Sequence, residues 1–133
     1  MTPYHIQIVE ETLNNNEFRR VLYTGKQSQV VIMSIAPHSD IGIETHHNVE
    51  QVFCFVEGNG IALLNHVEYE VSSGDLIVVP KGVEHNFINT SDIPLKLYTI
   101  YTPPKHIDGR IHHTLRDALN DEEDEAFGDQ KQK

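Results

Sequence analysis

A single cysteine, Cys54, stands in this chain, so no internal disulfide can hold it together. It lies in an apolar, strand-like run with no histidine local to its face, which reads as a buried thiol in a reducing compartment. Tryptophan is absent, and no apolar run nears the roughly twenty residues that cross a bilayer. No charged-then-apolar segment of the secretory kind opens the chain, so a soluble, cytoplasmic protein is expected, with no membrane partner. Basic residues are scarce, 10 Lys and Arg against 20 Asp and Glu, and the formal net charge of −10 argues against nucleic acid as a partner. That charge is unevenly placed. Asp117, Asp121, Glu122, Glu123, Asp124, Glu125 and Asp129 crowd the C-terminal end, and the mildly acidic remainder leaves room for an anionic substrate.

Helical periodicity is also missing until the end of the chain. What is present instead is a series of short apolar runs at spacings of roughly eight to twelve residues, punctuated by Gly or Pro, the pattern of an all-β sandwich or barrel. Strands are expected over 18–23, 29–36, 41–46, 51–56, 61–64, 67–71, 76–79, 85–88 and 95–102, with a short one at 110–112. The near-continuous run from Val30 to Ile35 predicts burial on both faces. Residues 1–16 read as a short edge strand or arm followed by a loop. With 133 residues there is one domain's worth of chain: 1–113 as barrel and N-terminal arm, and 114–133 as a helix and acidic tail. Thr114 is a good N-cap for a helix with Leu115, Ala118 and Leu119 on one face. The acids from Asp121 onward carry too little apolar surface to fold alone, so disorder is expected there.

Chemistry concentrates in two stretches. In the first, 42–60, Glu44 and His46 lie two apart and share a strand face. If the polar turn after His46 reverses the chain, Gln51 faces them across a hairpin. The second stretch, 74–89, supplies His85 just after the turn Pro80-Lys81-Gly82. One carboxylate, two imidazoles and an amide oxygen are a plausible ligand set for a divalent metal, and Zn, Fe, Mn, Ni and Co all suit it. Gln51 is the weaker, neutral ligand, and Glu44 restores a single negative charge to the set. Of the other histidines, His5, His38, His66 and His106 fall in apparent turns or arms and are expected in solvent. His47 should point away from His46. His112 and His113 read as solvated surface groups.

The second stretch, with Gly74, Pro80, Gly82, His85 and Asn89 at fixed offsets, resembles the second sequence motif of the cupin superfamily, and 42–60 resembles the first. The resemblance places Glu44 where that family usually has its first histidine, His46 at the second, Gln51 at the usual glutamate and Gly58 at the closing glycine. It implies a double-stranded β-helix, or jelly roll, with a metal in the barrel mouth. Phe53, Phe55, Leu63, Ile77 and Phe87 are the candidates to line that barrel. Tyr98 and Tyr101 on the last strand are read as sharing a face and as core aromatics, with reach to the pocket by one of them as the second reading. The segments 18–26, 98–104 and 106–112 further resemble small single-domain bacterial cupins loosely described as similar to mannose-6-phosphate isomerases. The function implied is a metal-binding cupin that binds or acts on a small polar metabolite. A sugar or sugar-phosphate isomerase is the alternative, followed by a metal-dependent dioxygenase and a non-enzymatic ligand-binding protein. The resemblance also implies a possible homodimer.

Overall fold

A computed structural model describes residues 2–131. Ten strands form two antiparallel sheets that face one another. Strands β1 (Arg19–Thr24), β2 (Gln29–Ile35), β4 (Glu50–Glu57), β7 (Leu76–Val79), β9 (Leu95–Thr102) and β10 (Ile111–His112) make one sheet, in the order β10-β1-β2-β9-β4-β7. The other contains β3 (Glu44–Thr45), β5 (Asn59–Leu64), β6 (Val67–Ser72) and β8 (Glu84–Asn89), in the order β3-β8-β5-β6. Every expected strand is present, although the one containing Glu44 shrinks to two residues.

The period-2 patterning decides which side chains enter the core. Along β4, Gln51, Phe53 and Phe55 point inward, while Val52, Cys54 and Val56 face out. On β9 the inward set is Leu95, Leu97, Thr99 and Tyr101. Phe53 and Phe87 meet at the centre with ring centroids 4.3 Å apart, and Phe55 stands 5.5 Å from Phe87. Leu63 does not join them. Its neighbours Ala62 and Leu64 take the inward side of β5, and Leu64 with Ile77 packs on the core.

Around the link from β4 to β5 the backbone packs so closely on neighbouring chain that side chains are excluded. A Cβ on Gly60 would lie 2.4 Å from the Ile88 carbonyl oxygen, and one on Gly58, where φ is +96°, would lie 2.7 Å from that of Pro94. The β5–β6 hairpin turns through Asn65 and His66 with φ of +49° and +70°, the doubly left-handed turn that suits a two-residue link.

Two expectations are corrected. The N-terminal segment is neither strand nor simple arm: Ile8–Asn14 forms a helix, α1, packed on the outer face of β2, β4 and β9. Its Thr12 hydroxyl donates to the Ile8 carbonyl at 2.7 Å, and the Lys96 ammonium donates to the Leu13 carbonyl at 2.7 Å. This cover is why β2 is buried on both faces, as its composition requires. Thr114 caps the short α2 (Leu115–Leu119) as expected, its hydroxyl accepting from the Asp117 amide at 3.1 Å. The acidic segment beyond it does not lack structure. It is helical over Glu122–Lys131 (α3), and residues 132 and 133 of the expected tail lie outside the described residues.

Candidate metal centre

Glu44 and His85 are direct cross-strand partners on β3 and β8, so their side chains emerge side by side from the four-stranded sheet. His46 follows β3 in the crossover to β4, and its carbonyl accepts from the Gly82 amide at 2.8 Å. The Pro80-Lys81-Gly82 turn thus braces His46, and Gly82 is suited to this position by its φ of +81°. One carboxylate oxygen of Glu44 and one ring nitrogen each of His46 and His85 lie within 4.8 Å of one another. The Glu44 Oε2 to His46 Nε2 distance is 3.1 Å.

Gln51 comes to this region by a route the sequence did not suggest. No hairpin joins β3 to β4. The chain crosses from one sheet to the other at residues 46–49, and β4 pairs with β7 and β9 instead. Gln51 therefore projects inward from the opposite sheet, beside Tyr101 and 2% exposed. Its amide Nε2 donates to the Thr99 hydroxyl at 3.0 Å, and that hydroxyl donates on to the Val52 carbonyl at 2.8 Å. This chain fixes the amide and leaves Oε1 as the buried acceptor. His85 is fixed in the same way: Nδ1 donates to the Val83 carbonyl at 3.0 Å, which leaves the Nε2 lone pair free. Gln51 Oε1, His46 Nε2 and His85 Nε2 are all buried without a hydrogen-bond partner.

Electrostatics suit the same chemistry. Burial alone would raise the Glu44 carboxyl, but the His46 imidazole 3.1 Å away and the nearby Arg19 charge outweigh it and hold its pKa at about 2. Burial pushes the His85 imidazole down, toward the neutral form that ligates metals. A charged carboxylate, two imidazole nitrogens and an amide oxygen fit a divalent ion. If Gln51 contributes its amide oxygen, Gln51→Glu should tighten metal binding by about tenfold or more, measured by competition with a chromophoric chelator. Unchanged or weaker affinity would place residue 51 outside the coordination sphere.

A cleft of about 290 Å³ opens beside this group, lined in part by Arg19, Glu44, His46 and His106. Asp124, Glu125 and Asp129 of α3 form part of its wall. Here the sequence reading missed a second buried network. His106, expected in solvent, is 5% exposed. Its Nδ1 donates to Asp124 Oδ2 at 2.7 Å, and its Nε2 accepts from the Tyr101 hydroxyl at 3.2 Å. Burial, helped by Arg19, lowers the His106 pKa to about 4. Burial would raise Asp124, yet its hydrogen bond to His106 holds it at about 2. The pair is therefore a neutral imidazole on a carboxylate. His112, also buried, sits 2.9 Å from Asp121 Oδ2, whereas His113 is exposed beside Glu17. The two tyrosines do not share a face: three positions apart on a strand, they point oppositely. Tyr101 is buried against His106, with burial raising its phenol to about 12, and Tyr98 lies half-buried on the outer side.

Comparison with known proteins agrees with this architecture. The sequence profile described as "Cupin domain" matches residues 31–101. YrkC of Bacillus subtilis (strain 168), an uncharacterized protein, is 43% identical over 123 residues, covering 88% of this chain and 66% of its own length. The chain thus spans just under two thirds of that curated relative. The crystal structure of BH2720 from Bacillus halodurans is 40% identical with a TM-score of 0.87, covering 89% of this chain and 94% of the other. An RmlC-like cupin from Shewanella frigidimarina, 21% identical, superposes with a TM-score of 0.60 over 65% of this chain and 76% of its own, a likeness of fold. With the profile spanning more than half of its residues and the two sheets closing as a double-stranded β-helix, this chain belongs to the cupin family.

Proposed function

We propose that this cupin holds a divalent metal ion on Glu44, His46, Gln51 and His85 and receives a small polar metabolite in the adjoining cleft. One observation carries the reading: three buried side-chain atoms, Gln51 Oε1, His46 Nε2 and His85 Nε2, have no hydrogen-bond partner. Leaving a buried polar atom unsatisfied costs about 1–3 kcal/mol. These three acceptors, together with the Glu44 carboxylate, are accounted for by an ion that accepts a lone pair from each. Zn, Fe, Mn, Ni and Co all accept this donor set. When bound, such an ion supplies Lewis acidity to an oxygen of the metabolite. The protein's own part is to fix the His85 tautomer through Val83, to hold the Gln51 amide through Thr99, and to wall the cleft with α2 and α3.

Elemental analysis of the purified protein tests the reading. About one equivalent of metal is expected for the wild type and well under a tenth for His46→Ala and His85→Ala, which each remove a ligand. Full stoichiometry in both variants, with far-ultraviolet circular dichroism unchanged, would overturn it.

A further inference from the structure

Among the described residues, two cationic side chains are buried, Lys96 at 7% exposure and Arg19 at 5%. Lys96 is complete, its ammonium donating to the Leu13 carbonyl at 2.7 Å and to Asn16 Oδ1 at 3.3 Å. Arg19 is not. Its Nη1 lies 3.5 Å from His112 Nδ1, its guanidinium carbon stands 5.2 Å from the Phe18 ring centre, and the group also meets the Tyr101 hydroxyl. Its Nε is buried without a hydrogen-bond partner, and among the described residues no carboxylate oxygen comes within 4.0 Å of the group. This is a costly arrangement for a guanidinium in a chain with twice as many acids as bases.

The position of Arg19 explains why it is worth keeping. β1 pairs with β10, setting Arg19 opposite His112, and the residue reaches the same cleft that Glu44, His46, Lys105 and His106 line. An arginine on the wall of a cleft about 290 Å³ in volume, next to a cluster of metal-ligand type, is placed to grip one end of a small anion. We propose that Arg19 is the anion-binding residue of this cleft, and that the metabolite is a small monocarboxylic acid with a second oxygen donor. The carboxylate pairs with the Arg19 guanidinium and the second oxygen turns toward the ion. Only that second contact rests on the metal reading above.

Charge favours a carboxylate over a phosphate. Arg19 offers a guanidinium that acts on Glu44 only at longer range and that no carboxylate among the described residues meets within 4.0 Å, a place a monoanion fills. A phosphate dianion would meet Lys105 as well as Arg19, but with twice the charge it would face Glu44, Asp124, Glu125 and Asp129 around the same cleft.

The test uses wild-type protein labelled with ¹⁵N-arginine, metal-free and zinc-loaded, titrated with lactate, glycolate and pyruvate. The chain has four arginines, so the Arg19 Nε–H signal is assigned by substituting each of the other three in turn. A saturable shift of that signal with at least one acid, and none with lactamide, is expected. Arg19→Gln should weaken binding of that acid by about tenfold or more in calorimetry while zinc stoichiometry is kept. If Arg19→Gln does not fold, the wild-type signal alone decides. No shift with any of the acids up to about 10 mM, equal binding of lactamide, or tighter binding of inorganic phosphate would overturn the assignment. Protein that takes no zinc but shows the carboxylate shift would remove the metal reading and leave Arg19 standing. Zinc binding without any shift would do the reverse.

Discussion

Deleting residues 121–133 should lower the melting temperature by roughly 10 °C and flatten its dependence on pH. Composition alone argues for no effect, because Phe127 is the one large apolar residue among a run of acids and ordering a dozen residues costs about 1–2 kcal/mol each. The structure reverses that balance through polar contacts. Asp124 accepts from His106 Nδ1 at 2.7 Å and from the Ile107 amide at 2.8 Å, while Asp121 meets His112 and caps α3 by accepting from the Asp124 amide at 3.1 Å. Losing the partners of His106, Ile107 and His112 costs about 1–3 kcal/mol apiece where they stay buried, less where water reaches them, so a total near 3 kcal/mol is reasonable. At this chain length that corresponds to roughly 10 °C.

The pH dependence follows from the same pair. His106 titrates near 4 in the fold against about 6.5 when unfolded, so the unfolded chain takes up the proton first. The stability contributed by the neutral imidazole is complete above about pH 6.5 and is lost as the pH falls toward 4, a loss on the order of 3 kcal/mol. Asp124, at about 2 against an ordinary 3.8, adds a further loss below that. Deletion removes Asp124, a group that pushes His106 up, but it also opens the imidazole to water and so removes the burial that holds it low. The flattening rests on this second effect, and His85, lowered as well, contributes in the same direction in both proteins. Parallel melting curves for the two across pH 4–7 would contradict this account.

Phe53→Ala should cost about 3–5 kcal/mol, or some 10–15 °C, and should also weaken metal binding. The ring is fully buried, packed 4.3 Å from Phe87 and 6.0 Å from His85, centroid to centroid. Its removal opens a cavity under the imidazole, and His85 then samples rotamers that point Nε2 away from the cluster. Phe55→Ala is the control. Phe55 is equally part of the core and touches Phe87 at 5.5 Å, so its loss should cost similar stability with little change in metal affinity. Equal loss of affinity in both variants would mean that general loosening, rather than support of His85, governs the site.

The strand pattern was legible because each strand buries one face, and alternation along β4 and β9 writes that burial directly into the sequence. The Gly, Pro, His and Asn offsets of the second stretch were legible as well, and Asn89 shows why the last of them matters. Its amide donates to the Ile35, Ala36 and Ile93 carbonyls and ties the end of β2 to the turn before β9 without lining the cleft. Less legible was anything decided by which sheet a strand joins. Gln51 projects inward from the sheet opposite Glu44 and His85, which no local turn signal encodes. α1 was misread because Ile8, Val9 and Thr12 are β-branched, and its helix rests on docking against the outer sheet rather than on propensity. For α3 a signal did exist. Asp121 three residues before Asp124, followed by acids in the first turn, is a helix start that complements the macrodipole. Its anchor, His106, sits far away in sequence and gave no sign of burial.

The candidate ligands arrive from both sheets, Glu44 and His85 from the four-stranded one and Gln51 from the six-stranded one. An ion held by all of them would act as a rivet through the barrel wall. β3 has only two paired residues, so it is the element such a rivet would stabilise most. Amide hydrogen exchange should register this: on zinc loading, the amides of Thr45 and Gln51 should slow together although they belong to different sheets. Exchange slowing confined to one sheet would mean that the ion sits on that side alone.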